Sequence, residues 1–182
     1  MNRYRQVAML ELAAGTYPVP HAGLRYELAR DLRLPRGSWL RLRGENGAGK
    51  TTFLEHVLIP NLRDRHCLLY LAQDMDLQQN TMRATLALMG LEAPQGLADL
   101  AAAWIEAGGC REVVILDEFD KYLTEAQLTA LDLARFGWVV QVSHLERPGA
   151  RPDLSSGFEL SFVRPDAGRP EVQLGLERLW PA

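Results

Sequence analysis

The chain has 182 residues, 47% hydrophobic and 24% charged, with a net charge of −3 and a pI of about 5.8. That balance suits a single water-soluble globular domain, residues 1–182, able to bury a core without disulfides or metals. It excludes the strongly basic footprint of a nucleic-acid-binding domain. No apolar run approaches the roughly 20 residues of a membrane helix, and the polar, basic start is not followed by the apolar stretch of a secretory leader.

Cys67 and Cys110 lack metal-ligand spacing and read as reduced thiols of a cytoplasmic protein. Eighteen of the twenty cationic residues are Arg; the two lysines are Lys50 and Lys121. That scarcity makes the position of Lys50 informative.

In chain order, residues 7–12 read as a short strand, 15–23 as a turn-rich stretch holding Pro18 and Pro20, and 24–34 as a second strand. Pro35-Arg36-Gly37 is a turn, and the strand 39–43 leads into a glycine-rich loop. Phe53, Leu54, Val57 and Leu58 fall at helical spacing, with Pro60 marking the end of that helix. Residues 66–72 form a nearly continuous apolar run, the mark of a buried parallel strand. Helices follow at 81–89 and 97–106, closed by Gly108-Gly109, so the helical region between strands, about 74–110, is small. The strand 113–116 ends in Asp117-Glu118, and Thr124-Glu125-Ala126-Gln127 fits a capping box opening a helix to about Arg135. The strand 138–142 ends at Ser143-His144, and residues 157–177 read as a hairpin turning at Asp166-Ala167-Gly168.

Strands alternating with helices predict an α/β fold: a mainly parallel sheet flanked by helices, with antiparallel strands at both chain ends. Ligands of such sheets sit at the carboxyl ends of strands. The glycine-rich loop, Gln73, Asp117-Glu118 and His144 all fall just after predicted strands.

Gly44-Glu45-Asn46-Gly47-Ala48-Gly49-Lys50-Thr51 fits the Walker A pattern G-x-x-x-x-G-K-[ST] between strand and helix. Glycines let backbone amides face phosphate oxygens, and the helix start presents its unpaired N–H groups to the same anion. Lys50 supplies a flexible charge for the β- and γ-phosphates, and the Thr51 hydroxyl suits Mg²⁺. The expected cofactors are therefore ATP and Mg²⁺. Asp117, a Walker B carboxylate, would hold Mg²⁺ through water, and Glu118 would orient or deprotonate the attacking water. His144 is placed to sense the γ-phosphate. The Gln73 side chain can reach the metal or the water. Tyr17 is a candidate for stacking on adenine, with Tyr26 or simple core packing as the competing readings.

This order of motifs resembles the nucleotide-binding domain of ABC-type ATPases. The loop with its following Thr52, Tyr17 ahead of it, Tyr70-Leu71-Ala72-Gln73, Ile115-Leu116-Asp117-Glu118 and Val142-Ser143-His144 carry the resemblance. It departs from the family in lacking an LSGGQ signature: Ala93-Pro94-Gln95-Gly96-Leu97 keeps only Gly96. Phe119 stands where the family has proline, and Thr124 where it has the D-loop aspartate. The resemblance implies an ATPase that drives or gates a partner protein, membrane-bound or a second copy in an ATP-dependent dimer. The missing signature implies hydrolysis that is slow alone or completed by a partner. A non-hydrolysing, nucleotide-gated binding module is the alternative. A small-molecule kinase is less favoured, since Arg83 is the one arginine between Gln73 and Arg111 able to serve a lid.

Overall fold

The computed structural model describes residues 8–143, 154–166 and 168–180. Its strands are β1 (Met9–Leu12), β2 (Gly15–Val19), β3 (Leu24–Leu28), β4 (Leu32–Pro35), β5 (Ser38–Gly44), β6 (Leu68–Leu71), β7 (Val113–Asp117), β8 (Trp138–Val142), β9 (Ser156–Val163) and β10 (Glu171–Trp180). Its helices are α1 (Lys50–Phe53), α2 (Ile59–Leu62), α3 (Met75–Leu88), α4 (Leu97–Ala107) and α5 (Glu125–Ala130). Among the described residues, eight strands form one sheet in the order β2-β3-β10-β9-β5-β8-β7-β6, and β1 pairs with β4 separately. From β9 through β5, β8 and β7 to β6 every pairing is parallel. β10 runs antiparallel to β9, and β2 antiparallel to β3.

The apolar strands are explained by two buried faces. Val113 and Ile115 pack with Leu40, Val140, Phe53, Leu54 and Leu58 on the α1–α2 face. Val114 and Leu116 pack with Met82, Leu86, Leu100 and Ile105 on the α3–α4 face. Each strand residue therefore has a core to enter, and the usual polar alternation disappears. The C-terminal hairpin extends this sheet: β9 lies beside β5, and β10 joins it to β3.

Several boundaries differ from expectation. The stretch 15–23 contains strand β2; its Pro18 is tolerated because β2 is the sheet's edge. The strand expected at 24–34 divides into β3 and β4. Pro60 does not end its helix, which continues to Leu62. The turns just before it, Leu54–Leu58, are π-helical, and this wider winding relieves the clash of a proline ring with the preceding turn. The Asn61 amide donates to the Val57 carbonyl at 2.7 Å.

Helix α3 starts six residues before the expected position, at an N-cap in which the Asp74 side chain accepts from the Leu77 N–H. Thr124 does form the predicted capping box with Gln127, but α5 ends at Ala130. Leu131 and Leu133, 3% and 1% exposed, both turn inward. Residues two apart cannot share a helix face, so the chain leaves the helix there.

Candidate functional site

The register explains why the motifs meet. Val142 of β8 pairs with Leu42 of β5 on one side and Asp117 of β7 on the other. The phosphate loop and the acidic pair therefore open at one sheet edge, with a single strand between them. The Glu118 N–H donates to the Val142 carbonyl at 3.1 Å, tying the acidic turn to that middle strand.

The loop's conformation follows from its glycines. Gly49 has φ +90°, and a Cβ there would lie 2.5 Å from the Tyr26 hydroxyl. That hydroxyl donates to the Gly49 carbonyl at 2.7 Å, and the neighbouring Thr52 hydroxyl lies against the same phenol. At Gly44 a Cβ would meet Phe162 of β9 at 2.9 Å. The loop is thus seated on Tyr26 and β9, with Glu45, Asn46 and Gly47 exposed above and Ala48 buried below.

Lys50 is only 5% exposed, and its ammonium folds back to donate to the carbonyls of Gly44 and Glu45 at 2.9 and 3.0 Å. Burial lowers its pKa; Glu118 and Asp117 oppose that shift, and Lys121 adds to it. A desolvated cation over an open amide loop attracts a phosphate anion.

Asp117 is fully buried. Its Oδ2 accepts from the Tyr70 hydroxyl at 3.2 Å, while its Oδ1 is buried with no hydrogen-bond partner. Burial raises its carboxyl above the usual range; Glu118 and Glu55 push the same way, and the hydroxyls of Thr51 and Tyr70 oppose. An orphaned carboxylate oxygen beside a threonine hydroxyl fits the hard-oxygen donor set that Mg²⁺ takes.

Glu118 stands in the left-handed region, φ 54°, just past β7. Its Oε2 accepts from the Gln73 amide at 2.5 Å and from the Lys121 ammonium. A cleft of about 240 Å³ is lined by Asn46, Gly47, Gly49, Lys50, Thr51, Gln73, Glu118 and Lys121. A second groove of about 660 Å³ lies on the other side of the loop, along Arg41, Arg43, Glu159 and Ser161.

Most predicted site residues thus converge, with two exceptions. Tyr17 is not brought to the loop. Its hydroxyl donates to the Ala13 carbonyl at 2.5 Å, and it lines a separate groove with Asn61 and Arg65, at the far end of the helix that begins at Lys50. Tyr17 and Tyr26 are opposite partners on β2 and β3, and it is the fully buried Tyr26 that reaches the loop, as a support. The switch position His144 lies outside the described residues. Arg83 is engaged elsewhere, donating to the carbonyls of Pro94 and Gln95 and closing the α3–α4 connection.

Sequence reasoning passed over Tyr70, Glu55 and Lys121. Tyr70 sits within hydrogen-bonding distance of both Asp117 and Glu55. Its position three residues before Gln73, beside a strand ending in a carboxylate, was a readable signal. For Lys121 the signal was its rarity.

No family model matches the chain, and no curated protein matches its sequence. Solved structures do resemble it. The cbiO1 protein of Clostridium perfringens, described as part of the ABC transporter complex cbiONQ, is 13% identical at a TM-score of 0.52, with 91% of this chain and 87% of that chain covered. A KaiC-like protein, PH0186 of Pyrococcus horikoshii OT3, is 16% identical at a TM-score of 0.42, with 80% of each chain covered. Among the described residues, no helix is long and apolar enough to cross a membrane. The cbiO1 likeness and the level strand ends lead to one conclusion: the chain has the P-loop NTPase fold, a mostly parallel sheet flanked by helices with antiparallel pairs added.

Proposed function

We propose that this chain is an ABC-like ATPase that binds Mg-ATP and hydrolyses it slowly alone, or faster when a partner completes the site. The observation that carries this reading is the single cleft shared by Lys50, Thr51, Gln73 and Glu118, with the orphaned Asp117 oxygen beneath it. The amides of residues 44–51 and the Lys50 ammonium would take the triphosphate. Thr51 and Asp117, with Gln73 at the rim, would hold Mg²⁺, which neutralises charge on the β- and γ-phosphates when bound. Glu118 would align a water in line with the γ-phosphorus and accept its proton as the bond to the ADP oxygen breaks. His144, which follows Ser143 in the sequence, is assigned the γ-phosphate sensor's role on the resemblance alone.

The absent LSGGQ signature supports dependence on a different protein partner, such as a membrane-bound one, in the cytoplasm; a second copy of this chain in an ATP-dependent dimer would bring no signature either. Part of a complex is also how cbiO1 is described. One observation favours a non-hydrolysing, nucleotide-gated module as the second reading: the Glu118 oxygen is already engaged by Gln73 and Lys121. Steady-state phosphate release separates the two. For an ATPase, Glu118→Gln lowers the rate by about 100-fold or more, the usual contribution of a general base. Equal release by Glu118→Gln and wild type would reject hydrolysis at this site.

A further inference from the structure

One of the two lysines is accounted for by the phosphate loop; the other is not. Lys121 ends the short turn Phe119–Lys121, three residues after Glu118. The Lys121 N–H donates to the Glu118 carbonyl at 3.1 Å, which curls the turn and returns the ammonium over the Glu118 carboxylate. The acceptor is Oε2, the same oxygen that takes the Gln73 amide. The Lys121 side chain is still 43% exposed, and it lines the phosphate cleft with Lys50, Thr51 and the loop. The cleft thus carries two ammonium groups, one fixed by the loop and one on a flexible stem at the rim.

We propose that Lys121 is a second phosphate ligand, specific for the γ-phosphate, that moves between two anions. In the empty cleft it rests on Glu118. With a triphosphate bound it transfers to the γ-phosphate, which removes the ammonium from the Glu118 oxygen and makes room there for water beside the Gln73 amide. This deepens the ATPase reading and rests on it.

The exchange is favoured on three physical grounds. The Glu118 side chain is 9% exposed and that of Lys121 43%, so water reaches the pair from the lysine side and the flexible stem can leave by that side. The γ-phosphate carries more charge than a carboxylate and accepts stronger charge-assisted hydrogen bonds. A diphosphate would leave the rim position empty, so the contact discriminates ATP from ADP. The Lys121 charge is already felt at Lys50, whose pKa it helps to lower.

The test compares wild type, Lys121→Met and Lys121→Arg as full chains, with calorimetric titration of Mg-ATP and Mg-ADP, phosphate release, and thermal unfolding as the check on folding. Loss of one charge-assisted contact should weaken ATP binding by about tenfold and ADP binding by less than about twofold. Phosphate release should fall by about tenfold or more in Lys121→Met, and Lys121→Arg should keep the preference for ATP. Equal weakening of ATP and ADP, or an unchanged preference, would overturn the proposal while leaving the ATPase reading intact. Faster release in Lys121→Met would do the same, because it would make Lys121 only a restraint on Glu118. Failure of the wild type to bind either nucleotide would overturn both.

Discussion

Replacing Gly49 by Ala tests how the phosphate loop is held. The left-handed backbone at φ +90° costs a residue with a Cβ about 1–2 kcal/mol. The new methyl would also lie 2.5 Å from the Tyr26 hydroxyl and 2.9 Å from a Leu24 methyl, an overpacking of about 1–3 kcal/mol. Together these predict a loss of roughly 2–5 kcal/mol, and for a chain of this length a fall in Tm of roughly 4–20 °C. Tyr26→Phe alone gives up the hydrogen bond to the Gly49 carbonyl, worth about 1 kcal/mol. It also removes the atom that the methyl strikes, so the double variant should be more stable than the sum of the singles by about 1 kcal/mol or more. Thermal and urea unfolding of the four proteins measure this cycle. Additive effects, or a Gly49→Ala protein as stable as wild type, would refute the close seating of the loop on Tyr26.

Two further predictions concern Asp117. Its carboxyl is raised by burial, so the folded protein holds that proton more tightly than the unfolded chain does, and ionisation subtracts stability. The penalty is absent below the unfolded carboxylate value of about 4, sets in as the pH rises towards the raised folded value, and persists above it. Asp117→Asn should therefore unfold at a higher temperature than wild type in metal-free buffer at neutral pH, with the gap closing as the pH falls towards 4. Tyr70→Phe removes the hydroxyl bonded to the Asp117 Oδ2; a hydrogen bond to a charged group is worth about 1.5–3 kcal/mol, so the Mg²⁺ needed for half-maximal ATP binding should rise by about tenfold or more. An unchanged Mg²⁺ requirement would show that Tyr70 serves packing alone.

The parts of the fold that could be read in sequence are those where one physical constraint acts. Strands β7 and β8 are buried on both faces, and β6 is buried on one face and half-buried on the other, so their apolar runs identify them without knowledge of neighbours. The phosphate loop is legible for a related reason: backbone amides can close on an anion only with glycines at particular spacings. Reading failed where two constraints compete. Pro60 is a helix breaker in sequence, yet a π-helical turn accommodates it. In α3, the buried Gln78 interrupts the apolar stripe of Met75, Met82 and Leu86; its carbonyl accepts from the Ala72 N–H, a bond between segments that no periodicity contains.

The choice between Tyr17 and Tyr26 was beyond sequence for the same reason. The two are cross-strand partners on one face of the sheet, and only the placement of the helix beginning at Lys50 decides which one meets the loop. Lys121 was legible by the logic applied to Lys50, a rare residue beside a chemical motif, but an (i, i+3) ion pair can also be no more than a solvated surface contact.

The central claim is that Lys50 and the amides of residues 44–51 grip a triphosphate with Mg²⁺ beside Thr51 and Asp117. Calorimetric titration of ATP into the purified chain, with and without Mg²⁺, tests it most directly when repeated on Lys50→Ala. The account predicts binding that strengthens with Mg²⁺ and weakens by about 100-fold or more in the variant, as expected when a charged contact to phosphate is lost from a desolvated site. Binding indifferent to both Mg²⁺ and Lys50 would contradict it.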